Sequence, residues 1–491
     1  MPQGHPPDDT WSCFCVLNSC ELCTTLSLHT DYDKQRKLLH LNDLVSRSGQ
    51  PNYLSCRVPI ESRFNIDYIE AHMQGYHDTQ ILDFLKFGWP IDHDGREVNS
   101  IPPRNHDSAT RYGNEVHDYL CKELAYGATI GPFARSPFQE PGLSPLSTRP
   151  KRGSEERRII VDMSFPPGRS INDGIDKHTY QGEPVKLTYP SVDSLVQIMI
   201  RKGRGCLLFK KDLKRAYRQI PVDPADIRLL GYQWDDHLFF DTVLAMGCRS
   251  SAYICQRTTN LIRHIYSTHG HDCANYLDDV GACEIAPLAP AAHHTLGGVI
   301  EDSGLEESLP KDWPPDYTME WLGVLLNSLE FTLSVTPDRI LELKQELTDW
   351  LDRAKYHRKQ LESLLGKLNF VVACVYASRV FIARLLNVLR QTPLHGSIPT
   401  PDELRSDVRW WYDFMESYNG TSAICTFPWS DPDEVISSDA CLIAGGALSS
   451  KQFFHKVFPK YVVDMNLHIN ALELLTLVVA VRVFEPDIRG K

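Results

Sequence analysis

The sequence predicts an α+β protein. Short β-like runs (Arg158-Ile-Ile-Val-Asp162, Cys206-Leu-Leu-Phe-Lys210, Leu238-Phe-Phe240 and Glu320-Trp-Leu-Gly-Val-Leu-Leu326) alternate with helical segments, without the regular βαβ repeat of a parallel sheet. Of the 491 residues 42 % are hydrophobic and 23 % charged, which supplies several cores and excludes a fibrous or wholly disordered chain. No uninterrupted apolar run reaches about 18 residues, the length of a membrane span. The longest candidate, Asn369 to Leu386, is broken by Arg379 and Arg384. The N-terminus lacks the basic start and apolar stretch of a signal peptide. The expectation is a soluble intracellular protein of the cytoplasm, the nucleus or both, with no membrane partner.

Taken in order, residues 1–50 read as a polar, Cys-rich leader without periodicity. Cys13, Cys15, Cys20 and Cys23 lack the long loop that separates ligand pairs in zinc modules, so reduced thiols are expected there. Residues 51–115 read as an N-terminal extension rich in loop signals, and residues 116–126 as a helix. Thr336-Pro337-Asp338 is a helix start, with a capping hydroxyl and proline at the first position. Ile340, Leu343, Leu347, Trp350 and Leu351 then repeat at helical spacing, as do Leu361, Leu364, Leu365 and Leu368 in a second helix. Pro393 to Pro401 reads as a linker, and a new strand-then-helix pattern opens near residue 431.

The net charge of −12 argues at first against a nucleic-acid partner. Basic residues nevertheless concentrate in Arg149–Arg158, Arg201–Arg218 and Arg353–Lys367. The chemistry is concentrated in Asn275-Tyr-Leu-Asp-Asp-Val280. Two adjacent carboxylates between apolar residues repel, and a tight hairpin that presents them at its turn suits a hard divalent cation with oxygen ligands. Alone, an Asp pair is ordinary turn chemistry. A second carboxylate, Asp212, ends the apolar run Phe209-Lys-Lys-Asp212. With the Asp pair it can hold two Mg²⁺ about 4 Å apart, the arrangement for nucleotidyl transfer.

At these residues the chain resembles reverse transcriptases. Tyr276-Leu-Asp-Asp279 is similar to their Tyr-x-Asp-Asp box, and Asp212 sits where their first catalytic aspartate does. The resemblance runs from about residue 50 to 491. It implies a right-hand polymerase with an antiparallel palm sheet: fingers and palm over 116–330, thumb and connection over 331–430. It further implies that Asp212, Asp278 and Asp279 bind two Mg²⁺, with Mn²⁺ able to substitute. Lys151 and Arg158 would hold the triphosphate, Tyr217 would reject the ribose 2′-hydroxyl, and Lys311 would protonate the leaving pyrophosphate.

In Met246–Gln256 the resemblance implies that Gly247 and Gln256 support nucleotide and template base, although Ser251-Ala252-Tyr253 replaces the commoner proline. Glu320-Trp-Leu-Gly323 resembles the primer-grip turn, and Arg353–Lys367 would track the duplex backbone. Phe87-Gly-Trp-Pro90, Met163–Gly174 and Arg358–Asn369 are most similar to DIRS-like, tyrosine-recombinase-associated retrotransposons. The implied partners are an RNA or DNA template with its primer, and dNTPs, with the oligomeric state left open.

Residues 431–491 resemble the opening of a ribonuclease H domain, with Asp439 and Glu473 at two of its four carboxylate positions. The only acids after Glu473 are Glu485 and Asp487, so no ribonuclease H activity is expected, and an unpaired sheet edge is. His264, His269, His271 and Cys273 read as a polar loop rather than a metal site. Two rivals stand beside the polymerase: an inactive nucleic-acid-binding remnant of a mobile element, and a viral-type RNA polymerase, which Tyr217 disfavours.

Overall fold

The apolar run that ends at Asp212 is a strand covered on both faces. In the computed structural model, which describes residues 26–54, 56–151, 156–186, 189–375, 378–424 and 434–489, it forms β1 (Leu207–Asp212). The Cys13–Cys23 cluster lies outside the described residues. With β2 (Cys273–Tyr276), β3 (Asp279–Glu284) and β4 (Trp313–Asp316) it makes an antiparallel sheet in the order β4-β1-β3-β2. Successive side chains enter different cores. Leu208 and Cys283 join the cluster built on helix α1 (Val192–Lys202), whereas Phe209, Val280 and Ala282 join the one built on α2 (Ser251–Thr268) and α3 (Ala289–Asp302). Burial on both faces is why the first half of β1 reads as an unbroken apolar run.

Glu320–Leu326, read above as one run, is two strands, Thr318–Trp321 and Val324–Asn327. They turn on Leu322 (φ 48°) and Gly323 (φ 83°), positive at both central positions as a two-residue hairpin requires. Thr332–Val335 and Thr421–Ala423 complete this second sheet. The two periodic stripes form helices Pro337–Leu351 and Arg358–Cys374, with Leu343, Leu347, Leu361 and Leu364 buried. Thr336 stands at the N-cap, but its hydroxyl makes no capping bond. The leader also contains a helix, Tyr32–Ser48, that Asp31 caps through the Lys34 N–H and Gly49 ends at φ 68°.

The chain divides into two compact units, residues 1–424 and 425–491. In the second, strand Ser437–Ala440 forms one edge of a three-stranded antiparallel sheet, and helix Ile469–Val483 packs on that strand. Asp439 and Glu473, one on each element, are both exposed. Among the described residues no helix is long and apolar enough to cross a membrane.

After Asp212 the chain enters a short 3₁₀ turn, Ala216–Gln219, fixed from inside by a buried arginine. Arg218 donates to Glu123 at 2.9 Å, to both oxygens of Asp241 at 2.6 and 2.8 Å, and to Thr129 Oγ1 at 3.2 Å. Arg215 donates to Glu123 from the same turn. Burial works against the Arg218 charge, but Asp241, Tyr119 and Glu123 outweigh it and raise its pKa. The network ties the turn to helix Gly113–Tyr126 and to strands Thr129–Phe133 and His237–Asp241. Removing one member leaves a buried charge unpaired, so Arg218→Met should cost about 3–5 kcal/mol in a urea melt. Arg104→Ala, which removes an exposed pair with Asp107, should leave the midpoint unchanged. Equal effects would show that the network does not anchor the turn.

Candidate active site

Asp212 and Asp279 face each other across β1 and β3. The register also pairs Lys211 with Val280 and Lys210 with Gly281, and directly opposed residues of an antiparallel pair project to the same face. Further along this face the buried Trp321 ring lies over Gly281, 2.7 Å from where a Cβ would stand. The apolar cover ends there, and the two carboxylates follow at the end of the sheet.

Asp278 is in the turn between β2 and β3, after Leu277 at φ 53°. A non-glycine residue in this left-handed region costs on the order of 1 kcal/mol or more and needs support. Gln256, fully buried on α2, provides it. Its Oε1 accepts the Leu277 N–H at 2.8 Å, and its Nε2 donates to the Asn275 carbonyl at 2.9 Å. Asn275 in turn donates to Thr259 at 3.0 Å and to Asn260 at 2.8 Å. The Gln256 amide, expected to support the nucleotide, is spent on the hairpin, and it positions the Asp pair.

Lys311 closes the site, its Nζ donating to the two oxygens of Asp212 at 2.9 and 2.8 Å. The preceding segment is fastened to the end of β1. Ser308 N–H donates to the Asp212 carbonyl at 2.7 Å, and Gln219 accepts the Glu306 N–H at 2.7 Å. Burial, then the Asp212 charge, raises the Asp278 pKa. Burial, Asp278 and Asp212 push Asp279 up to about 6. Burial opposes the Lys311 ammonium, but its bond to Asp212 and the three aspartate charges outweigh it and raise its pKa.

These carboxylates offer the oxygen ligands that hard divalent cations take, and their repulsion is what a cation relieves. The donor set therefore fits Mg²⁺. Among the described residues no three His, Cys, Asp or Glu side chains already converge into a metal cage. The positive charge at Asp212 comes from Lys311.

Tyr217, half-buried on the 3₁₀ turn, stands within electrostatic reach of Asp278. Burial, then Cys255 and Asp278, raises its hydroxyl pKa. Tyr189, absent from the motifs read above, is exposed, with its ring 5.5 Å from that of Tyr276. Strands Leu146–Pro150 and Arg157–Val161 form the hairpin that carries the two basic candidates. Arg158 is exposed, and its charge acts on Asp278. Lys151 instead pairs with Glu156 at 2.8 Å. Gly247 packs on the inner strand of this hairpin, where a Cβ would run into the Val161 carbonyl, and its own carbonyl accepts from Asn172 at 2.8 Å.

Two of the three basic stretches are largely used inside the protein. In the second, Arg218 is buried, Lys211 pairs with Glu307 and Asp312, and Lys202 pairs with Glu284. In the third, Lys367 pairs with Glu342 and Glu346, and Arg358 with Glu362. The groove beside Arg353 and Lys367 is also lined by Asp338, Glu342, Glu346 and Asp349, so that stretch is no continuous cationic track. The histidines before the hairpin are dispersed. His264 lies against Tyr76, His269 against His72, and His271 against Tyr266.

With this geometry the chain can be set beside solved structures. A foamy viral protease-reverse transcriptase in complex with double-stranded DNA is similar with a TM-score of 0.51 and 14 % identity, over 88 % of this chain and 88 % of that one. A further foamy viral protease-reverse transcriptase complexed with double-stranded DNA gives 0.51 and 15 %, over 88 % and 74 %. One in complex with an RNA/DNA hybrid gives 0.50 and 14 %, over 87 % and 56 %. The fold is that of a reverse transcriptase. No protein-family model and no curated protein matches the sequence.

The raised pKa of Asp279 has a thermodynamic consequence. A folded-state pKa above the unfolded value means that ionisation opposes folding: the cost is present above about pH 6 and gone below about pH 4. Without divalent cations, Asp279→Asn should therefore raise the thermal unfolding midpoint at about pH 7.5, and the gain should shrink through pH 6 and vanish near pH 4. A lower midpoint for the variant at the higher pH would contradict the repulsion.

Proposed function

We propose that the chain is an RNA-directed DNA polymerase of a retrotransposon of the DIRS-like type, adding dNTPs to a primer 3′-hydroxyl on an RNA or DNA template. The observation that carries this reading is the opposition of Asp212 and Asp279 at the end of a doubly covered sheet, with Asp278 on a braced, left-handed turn. Two Mg²⁺, or Mn²⁺, held by Asp212, Asp278 and Asp279 would supply the charge that activates the 3′-hydroxyl and stabilises the leaving pyrophosphate.

The chain's own residues do the rest. Arg158 binds a phosphate of the incoming nucleotide, with Lys151 joining it only if it leaves Glu156. The Tyr217 ring sits beside the sugar and excludes a 2′-hydroxyl. Lys311, whose raised pKa keeps it protonated at neutral pH, is the proton donor to the pyrophosphate. Such a reaction depends chiefly on positioning and charge stabilisation. The fingers, palm and thumb follow the boundaries given above, and residues 431–491 are a ribonuclease H-like piece.

The second reading is an inactive nucleic-acid-binding remnant. The observation that favours it is the Lys311 ammonium bonded to both oxygens of Asp212.

The test is Mg²⁺-dependent dTTP incorporation on poly(rA) primed with oligo(dT). The parent should incorporate, and Asp278→Asn should lose about a hundredfold to a thousandfold in rate, the order seen when a developing charge loses a main stabiliser. No incorporation by a folded parent that binds primer–template would favour the remnant. In the same assay Tyr217→Ala should admit rNTPs that the parent rejects. Unchanged selectivity would remove Tyr217 from sugar discrimination.

A further inference from the structure

We propose that Arg149 and Arg158 together clamp the polyphosphate of the incoming nucleotide, so that Arg149 holds the place expected of Lys151; this rests on the polymerase reading. The register of the basic hairpin places the two arginines directly opposite each other. Directly opposed residues share one face of the ribbon, and like charges there are destabilising. Both are exposed, and among the described residues neither guanidinium has a hydrogen-bond or ion-pair partner. Such a pair costs stability unless an anion lies between its members.

Among the described residues the neighbouring cations are committed elsewhere. Lys151 is joined to Glu156 by its ammonium at 2.8 Å and by its backbone N–H at 2.9 Å. Arg157 turns its guanidinium over the Tyr112 ring, 3.6 Å from the centroid, and donates to Thr148 Oγ1 at 2.9 Å. The charge of Arg158 acts on Asp278, and Arg149 is its direct cross-strand neighbour. Gly247 holds the inner strand of the hairpin against the loop that precedes α2. Two forked guanidinium groups on a fixed ribbon suit the oxygens of a polyphosphate better than a flexible ammonium does.

The test uses the full chain. Inorganic tripolyphosphate is titrated by calorimetry, and the KM for dTTP is measured on a saturating primer–template, for the parent, Arg149→Ala, Arg149→Lys and Lys151→Ala. Arg149→Ala should weaken tripolyphosphate and raise the dTTP KM about tenfold or more, the loss of a charge-assisted hydrogen bond. Its kcat and primer–template affinity should stay near the parent's. Arg149→Lys should recover part of the loss, and Lys151→Ala should raise the dTTP KM less than Arg149→Ala does. The thermal midpoint of Arg149→Ala should hold or rise, because a like-charge repulsion is gone. Unchanged tripolyphosphate affinity in Arg149→Ala, or a loss confined to primer–template binding, overturns the clamp. A parent that binds tripolyphosphate through Arg149 but incorporates no dTTP supports the clamp and removes the polymerase reading. A parent that binds no tripolyphosphate overturns the clamp whatever its polymerase activity.

Discussion

Carboxylates directly opposed at the end of an antiparallel strand pair repel, and the surrounding structure is organised around that repulsion. Asp212 and Asp279 are brought face to face by the register of β1 and β3, and the turn adds Asp278. Burial and mutual charge hold Asp278 and Asp279 above the usual carboxylate range. The sheet bears this cost because both of its faces are packed, one against α1 and Trp321, the other against α2 and α3. Gln256 braces the Leu277 turn, and Lys311 neutralises part of the charge at Asp212. Packing thus holds the repelling carboxylates in place.

A second constraint fixes the turn that follows Asp212. The turn after Asp212 carries Tyr217, half-buried, and Arg218, which is buried and fixed by Glu123, Asp241 and Thr129. A buried ionic network of this kind is weak evidence for stability but fixes geometry, since each member is costly to leave unpaired. It couples the Tyr217 turn to a helix and two strands distant in sequence. Gly247 plays the same part for the basic hairpin, whose backbone approaches too closely for any side chain.

Much of this was legible in the sequence. The strand ending at Asp212, the hairpin turn at Leu277-Asp278 and the periodic helices after Thr336 follow from patterning, because apolar periodicity and turn residues report local structure. The role of Gln256 was not legible: a buried amide bonding a turn some twenty residues away leaves no periodic trace. The burial of Arg218 was not legible for a similar reason. A charged residue in a basic stretch looks solvent-facing until its long-range partners, Glu123 and Asp241, are known. The helix Tyr32–Ser48 was missed although Asp31 and Gly49 mark its ends, because few of its residues are apolar. The opposition of Arg149 and Arg158 depends on strand register, which a one-residue slip would abolish.

The central claim is that opposed carboxylates at the sheet end form a cation site, and direct binding tests it apart from any catalysis. Mn²⁺ would be titrated into the full chain and its free signal followed by electron paramagnetic resonance, in the parent, Asp212→Asn and Asp279→Asn. The account predicts that the parent depletes free Mn²⁺ and that each variant binds about tenfold more weakly or worse, as expected when a ligand carboxylate loses its charge. Superimposable titrations for the three proteins would contradict it.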